Sequence, residues 1–250
     1  MLNAILSSKA GRLHDGDAVT RWRDLFKGSE DLVTATVMER LSYLSGSTSW
    51  SILRASMSET LTRFRLGELV EIEFWPMWEF EGKKIGVEPD VLITFTVGDP
   101  EKRVHLIVES KYRGNPQRVS QWAEQLSAYR QSIDSEVIDP ADYVVYMALD
   151  GLSSRHISNT DLIADAYANS DIQATEIDNL SFVLIGWMDL VKACASVEPV
   201  NSGEQRILDD MTKALNLFGY SFIETPRGLE KLKPLTAGTS TLRALALEEI

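Results

Sequence analysis

Three strand-like runs that follow one another without an intervening helix limit how this chain can fold more than any other feature. They cover residues 69–80, 87–97 and 103–112, and residues typical of turns separate them. A helical pattern over 117–133 and a buried apolar run over 143–149 come next. This order predicts an α/β fold in which a mixed β-sheet carries helices on both faces.

A helix is also predicted before this block. Ser29 suits its N-cap, and the apolar residues Leu32, Leu41 and Leu44 recur with helical spacing. The chain before Ser29 shows no regular pattern. Further helices are predicted over 50–57, 158–170, 188–197 and 203–217, and a further strand over 182–187.

The 250 residues are enough for one large domain. We expect a single α/β domain over 1–200, on which a helical or irregular extension over 201–250 packs. Prolines and glycines make the part of this extension after Tyr220 rich in loop-forming residues.

Charged residues are unevenly distributed along the chain. The formal net charge is −12, which argues against a general affinity for nucleic acid. Residues 134–200 hold 12 acidic and 2 basic side chains, whereas residues 83–133 hold 6 acidic and 8 basic ones. The acidic segment has two open explanations, a solvated surface that maintains solubility and a face that binds a protein partner.

Cysteine usage and hydropathy indicate the compartment. Cys194 has no second cysteine with which to form a disulfide or a zinc cluster. No apolar stretch approaches the roughly 20 residues that span a bilayer, and residues 1–12 lack the pattern of a secretory signal. We therefore expect an intracellular, cytoplasmic protein without membrane contact, in which any metal is held by carboxylates.

Two acids of the three-strand block are expected to meet. If the second and third strands form an antiparallel hairpin about the turn at residues 98–101, Asp90 lies opposite Glu109. A slip of one residue would place Asp90 opposite Ser110 instead. Pro100 fits a tight two-residue loop poorly, so both registers stay open at this point.

Two carboxylates in this position favour a bound cation. The Cβ atoms of directly opposed residues are about 4.5–5.5 Å apart, and two negative charges so close repel unless a positive group lies between them. A hard divalent cation such as Mg²⁺ suits oxygen ligands of this kind. Lys111 shares the strand face of Glu109, where it could orient or deprotonate a water or neutralise charge on a phosphate.

These residues resemble the signature of a known superfamily. The pair Pro89-Asp90 and the triplet Glu109-Ser110-Lys111 are similar to the PD-(D/E)XK motif of restriction-endonuclease-like nucleases. The next helix carries Gln125-Leu126-Ser127-Ala128-Tyr129, which is similar to the QhxxY element of RecB-like and lambda-exonuclease-like members. The resemblance covers residues 30–149 and implies the αβββαβ core of that fold.

The resemblance implies a metal site and its ligands. Asp90 and Glu109 would bind Mg²⁺, for which Mn²⁺ would substitute, and the main-chain carbonyl of Ser110 would be a third ligand. Many family members add an acid from the first helix. Here Glu30 fits that position best, with Glu39 as the alternative.

The resemblance also implies catalytic and substrate-binding residues. Lys111 would be the catalytic lysine, and Gln125 would help to position the attacking water or a phosphate. Basic residues near the motif would contact the DNA backbone; they are Lys83, Lys84, Arg113, Arg118 and Arg130.

Simpler explanations stay open for several of these residues. Lys111 could pair with Glu88 across the strands, and Glu30 could interact with the dipole of its helix rather than with a metal. Gln121 and Gln125, one helical turn apart, could lie on the surface. Packing is the simpler explanation for Tyr129, His105 and the aromatic run over 74–78.

Two function classes follow from these observations. The first is a Mg²⁺-dependent nuclease that hydrolyses DNA, with RNA as an open alternative, in antiviral host defence, restriction or DNA repair. The second is a catalytically silent nuclease-like fold that binds or assembles with a protein partner, which the overall acidity of the chain favours. A homodimer is compatible with either class.

Overall fold

The structure is a computed structural model that describes most of the chain. The described residues are 4–5, 7, 9–15, 18–57, 64–79, 86–112, 115–150 and 177–221. The predicted helix over 158–170 and the loop-rich tail beyond residue 221 lie outside them. None of the helices in the described ranges combines the length and the apolar character that crossing a membrane requires.

A five-stranded mixed sheet forms the centre of the protein. The described strands are β1 (Arg12–Asp15), β2 (Ala18–Arg21), β3 (Gly67–Phe74), β4 (Val91–Val97), β5 (Lys102–Ser110), β6 (Tyr143–Asp150) and β7 (Leu180–Gly186). Strands β3 to β7 lie side by side in chain order. Strands β3, β4 and β5 pair antiparallel, and β6 and β7 continue parallel to β5. The predicted mixed sheet is confirmed.

Helices cover both faces of this sheet. They are α1 (Trp22–Gly28), α2 (Glu30–Ser42), α3 (Gly46–Ser56), α4 (Val119–Asp134), α5 (Trp187–Ser196) and α6 (Ser202–Phe218). Ser29 caps α2 as predicted, because its hydroxyl accepts a hydrogen bond from the N–H of Leu32 at 3.3 Å. The prediction of no regular structure before Ser29 was wrong. That stretch contains α1 and the β1–β2 hairpin, which are too short to give a clear periodicity.

Alternate residues of the central strands enter two separate cores. On β5, Leu106 and Val108 belong to the larger core with α2, α3, α5 and α6, whereas Ile107 belongs to the smaller core beneath α4. Tyr146 of β6 also lies in the smaller core. Because side chains alternate along a strand, the same parity directs Glu109 towards α4.

The register of the β4–β5 hairpin agrees with the first of the two predicted registers. Val91 pairs with Val108, and the next position in that register sets Asp90 opposite Glu109. The connecting loop spans residues 98–101. It is longer than a tight two-residue turn, so the proline in it does not force a slip.

The first strand of the sheet ends earlier than predicted. Strand β3 stops at Phe74 because Trp75 adopts a φ of 50°, which lies outside the β region. Trp78 then pairs with Val87 in an isolated bridge. The ring of Trp78 is buried 5.6 Å from that of Tyr129, so this part of the aromatic run packs in the core.

A buried acid connects α3 to α6. Glu204 accepts hydrogen bonds from the N–H of Ser45 at 2.8 Å, the hydroxyl of Thr48 at 2.9 Å and the N–H of Val200 at 2.8 Å. Burial raises the pKa of Glu204, but these donors outweigh burial and lower the pKa to about 2. Helix α6 therefore packs firmly on the domain, while the boundary at residue 200 stays a prediction.

Candidate functional site

The candidate site lies where β5 ends and β4 begins. Asp90 directly precedes β4, Glu109 and Ser110 end β5, and Lys111 follows it. Antiparallel pairing brings the start of β4 beside the end of β5. Glu30, the first residue of α2, reaches this place from one face of the sheet, and α4 reaches it from the other.

Glu109 is held by side chains of α4. It is 1% exposed. Its Oε1 accepts hydrogen bonds from the Lys111 ammonium and from Nε2 of Gln121 at 2.8 Å, and its Oε2 accepts one from Nε2 of Gln125 at 2.8 Å. The alternative that Gln125 lies on the surface was therefore wrong, whereas Gln121 is partly exposed while it bonds Glu109. A buried carboxylate needs such partners, because burying it without them is costly.

The ammonium of Lys111 lies among three oxygens. It donates to Glu109, to the main-chain carbonyl of Ser110 at 3.0 Å and to Oε1 of Glu30 at 3.4 Å. Burial lowers the pKa of Lys111, but the hydrogen bond and charge of Glu109, with the charges of Glu30 and Asp90, outweigh it and raise the pKa. Lys111 is therefore a charged group that joins Glu30 of α2 to Glu109 of β5.

Asp90 is anchored to the end of β5. Its Oδ2 accepts hydrogen bonds from both the N–H and the hydroxyl of Ser110, each at 2.7 Å. Burial and the negative charge of Glu109 raise the pKa of Asp90 to about 6, against the lowering effect of the Ser110 hydrogen bonds and the Lys111 charge. The site thus carries more negative than positive charge.

The structure brings Glu30, not Glu39, to the site. Oε2 of Glu30 accepts hydrogen bonds from the N–H of Tyr112 at 2.7 Å and from Nδ2 of Asn115 at 3.2 Å. Glu39 is exposed and accepts a hydrogen bond from the Tyr43 hydroxyl at 2.7 Å. Of the two helix acids that the resemblance offers, only the first one therefore shares contacts with the strand residues.

Two further polar residues support the site, although the sequence did not single them out. The hydroxyl of Tyr146 donates a hydrogen bond to Oε1 of Gln125. Burial raises the pKa of Tyr146 well above its usual value. Gln117 donates to the main-chain carbonyls of Glu109 at 3.2 Å and Leu149 at 2.9 Å, which ties β5 to β6. For Tyr146, the available signal was a hydroxyl inside an apolar strand, where it needs a partner.

Packing was the simpler explanation for several residues, and it holds for His105 and Tyr129, whereas Trp75 and Met77 of the aromatic run are exposed. His105 is 2% exposed, and its Nδ1 lies 2.8 Å from the hydroxyl of Tyr129. Burial lowers the pKa of His105 to about 4. The alternative in which Lys111 pairs with Glu88 was wrong, because the ammonium contacts Glu109 and Glu88 is exposed.

Arg118 is a predicted DNA contact that the structure places near the site. It is exposed at the N-cap of α4 and lines a cleft of about 450 Å³ together with Gln121 and Gln125. Arg130 lies further along α4 and pairs with Asp134 at 3.1 Å. The remaining predicted contacts, Lys83, Lys84 and Arg113, lie outside the described residues.

The donor set suits a hard divalent cation. Glu30, Asp90, Glu109 and the carbonyl of Ser110 all offer oxygen, which Mg²⁺ prefers. The ammonium of Lys111 already contacts three of these groups, so the site accommodates a positive charge. Among the described residues, no three acidic, histidine or cysteine side chains converge into a preformed metal centre, and a cation would compete with Lys111 for the oxygens.

Comparisons with known proteins add one relative. The chain is similar to an uncharacterised protein of Pasteurella multocida strain Pm70, with 28% identity over 210 residues. The match covers 82% of this chain and 76% of that protein. No family model matches the chain, and no solved structure matches it.

Proposed function

We propose that this protein is a Mg²⁺-dependent nuclease that hydrolyses DNA phosphodiester bonds, with Mn²⁺ able to substitute. One observation carries the proposal: the ammonium of Lys111 contacts both Glu30 and Glu109, and the negative charge of nearby Asp90 also acts on it. Three acids around one cationic group leave a negative excess. That excess and the oxygen donors suit a divalent cation that in turn binds a phosphate.

The element order supports the proposal. Helix α2, strands β3 to β5, helix α4 and strand β6 follow one another in the αβββαβ order of restriction-endonuclease-like nucleases, with α3 added after α2. The candidate site lies where that resemblance expects the metal ligands, at the adjoining ends of the second and third strands. We therefore include the restriction-endonuclease-like fold in the proposal.

The residues of the site have distinct proposed roles. A metal held by Asp90, Glu109 and the Ser110 carbonyl, with Glu30 beside them, would polarise the phosphate and activate a water. Gln125 keeps the carboxylate of Glu109 in place. Because three acceptors surround its ammonium, Lys111 stays charged, and it neutralises the charge that develops on the phosphate rather than taking a proton from water.

DNA would have to bind through positive groups close to the candidate site. A net charge of −12 repels a polyanion over most of the surface. Arg118, exposed beside the cleft at the start of α4, is positioned to contact a backbone phosphate. The bound cation would supply the rest of the positive charge near the scissile bond.

A cleavage assay with matched variants tests the proposal. Purified protein is incubated with linear, circular and single-stranded DNA, and with RNA, in Mg²⁺, Mn²⁺ or EDTA. We expect metal-dependent cleavage of DNA that Glu109→Ala and Lys111→Ala abolish. Lys213→Ala is the control for loss of a lysine, because Lys213 is exposed on α6 and pairs with Asp210 at 3.6 Å.

Two outcomes would overturn the proposal. Equal residual cleavage by the wild type, Glu109→Ala and Lys111→Ala would identify a contaminating nuclease. No cleavage of any substrate by folded wild-type protein in either metal would leave the second class, a nuclease-like fold used for binding or assembly. Cleavage of RNA but not DNA would correct the substrate and keep the reaction.

A further inference from the structure

A chain of buried hydrogen bonds runs from β6 into the site. The hydroxyl of Tyr146 donates to Oε1 of Gln125, and Nε2 of Gln125 donates to Oε2 of Glu109 at 2.8 Å. Tyr146 and Gln125 are fully buried, and Glu109 is nearly so. Because water does not compete for these groups, each hydrogen bond polarises and strengthens the next.

The start of this chain is rigidly held. The ring of Tyr146 packs against those of Trp122 and Phe182, with centroid distances of 5.5 Å and 5.6 Å. Its backbone belongs to β6, which pairs with β5 on one side and β7 on the other. The hydroxyl of Tyr146 is therefore a fixed point from which a more mobile amide can be oriented.

The amide of Gln125 has two different ends, and Tyr146 selects between them. Its oxygen accepts hydrogen bonds and its nitrogen donates them. With the oxygen bound by Tyr146, the nitrogen faces Glu109. If the amide turned over, its oxygen would face a carboxylate oxygen, and two acceptors repel. Without the hydroxyl, the Gln125 oxygen would be buried with no donor, which favours another rotamer.

We propose that Tyr146 is a positioning residue that sets the orientation of Gln125 and thereby holds the carboxylate of Glu109 where it can bind a divalent cation. The inference rests on the proposed nuclease function, since it assigns Glu109 as a ligand. Tyr146 belongs to neither of the sequence elements that carry the resemblance. It acts through Gln125 and does not itself contact the carboxylate oxygens.

Cation affinity measured apart from cleavage tests this role. Mn²⁺ is titrated calorimetrically into wild-type protein and into Tyr146→Phe, which keeps the ring and removes the hydroxyl. We expect Mn²⁺ to bind about tenfold more weakly to the variant, as for other residues that support a ligand. The rate of DNA cleavage at saturating Mn²⁺ should fall as well, because Glu109 is less well oriented.

Tyr129→Phe is the matched control. Tyr129, a residue of α4, is also buried, and its hydroxyl also hydrogen-bonds a polar side chain, that of His105. Its removal costs a similar buried hydrogen bond at a place that does not touch Glu109. We expect its Mn²⁺ affinity to stay within about twofold of the wild type, so a general loss of stability would not imitate the effect of Tyr146→Phe.

A double variant tests whether Tyr146 acts through Gln125. Gln125→Met removes the amide, so adding Tyr146→Phe to it should change Mn²⁺ affinity by less than about twofold. This comparison also holds if Tyr146→Phe alone folds poorly, because the double variant has no buried amide oxygen without a donor. A further threefold loss in the double variant would show that Tyr146 acts by another route.

Failure of this inference is distinguishable from failure of the nuclease proposal. If wild-type protein neither binds Mn²⁺ nor cleaves DNA, the proposed function falls and Tyr146 has no ligand to position. If wild-type protein does both and Tyr146→Phe binds Mn²⁺ as tightly as the wild type, the nuclease proposal survives and the positioning role is overturned.

Discussion

Two buried glutamates of this protein are held in different ways. Glu204 accepts hydrogen bonds from the N–H groups of Ser45 and Val200 and from the hydroxyl of Thr48. All three donors are uncharged. They also lie at helix starts, where a negative charge is favourable. Glu204 therefore joins α3 to α6 through donors that carry no charge.

Glu109 is at least as buried, yet its partners are all side chains. It accepts hydrogen bonds from the ammonium of Lys111 and from the amides of Gln121 and Gln125. A second acid, Asp90, is close enough for the charge of Glu109 to raise its pKa. Side-chain donors such as those of Glu109 can turn away when a ligand arrives, whereas the main-chain N–H groups of Ser45 and Val200, two of the three donors to Glu204, are fixed by the backbone. The neighbouring charges, rather than burial alone, therefore distinguish the two acids, because Glu109 lies beside Lys111 and Asp90 whereas the donors to Glu204 are uncharged.

The largest expected effect contrasts the two acids directly. Glu109→Gln should lower DNA cleavage in Mg²⁺ by about 10³-fold, because it removes the charge of a central ligand. Glu204→Gln should leave the rate per folded molecule within about twofold. Rates are compared after the folded fraction has been measured by circular dichroism. Equal losses in the two variants would show that Glu109 has no role in cleavage beyond that of a structural acid.

The next effect concerns stability. Glu204→Gln should lower the free energy of unfolding at pH 7 by about 1–3 kcal/mol, because an amide cannot accept all three hydrogen bonds. The pKa of Glu204 is lowered from 4.5 to about 2 on folding. The stability it adds is therefore complete above pH 4.5 and is lost as the pH falls towards 2.

Urea denaturation at a series of pH values measures this dependence. The difference between wild type and Glu204→Gln should be constant from pH 5 to 7 and should shrink as the pH falls below about 4.5. A difference that persists unchanged at the lowest pH at which both proteins fold would contradict the assignment of Glu204 as a charged structural acid.

Competition between lysine and metal gives the third effect. The Lys111 ammonium contacts Glu109, Glu30 and the Ser110 carbonyl, which are the groups proposed to surround the metal. Lys111→Met should therefore bind Mn²⁺ about tenfold more tightly, or about 1.4 kcal/mol, although it cleaves no DNA. Lys213→Met, the control, should bind Mn²⁺ as the wild type does. Weaker Mn²⁺ binding by Lys111→Met would show that the Lys111 ammonium and the metal ion do not compete.

The smallest change in cleavage rate is expected from the two glutamines that bond Glu109. Gln121 is partly exposed, so a water can replace its amide, whereas Gln125 is fully buried. We expect Gln121→Ala to slow cleavage roughly fivefold, equivalent to about 1 kcal/mol, and Gln125→Ala to slow it more. The reverse order, measured under the same conditions, would mean that the exposed amide is the main support of the carboxylate.

Local patterns account for much of the fold. The helix predicted over 117–133 forms at Val119–Asp134, and the strand predicted over 143–149 forms at Tyr143–Asp150. Strand β3 is the larger miss, because the positive φ of Trp75 ends it and nothing in the apolar pattern signals that backbone change. The β1–β2 hairpin was missed because strands this short carry too few residues to show an alternation.

The sequence alone gives the order of the described elements from α2 onward, and its hairpin limits the partner of Asp90 to Glu109 or Ser110. Both depend on alternation within a strand and on pairing between sequence neighbours, which are local properties. Only the tertiary structure decided that Glu30 rather than Glu39 reaches the site, and that Gln125 and Tyr146 form a chain to Glu109. Those contacts depend on how each helix is rotated against the sheet, which the packing of distant side chains in the two cores sets.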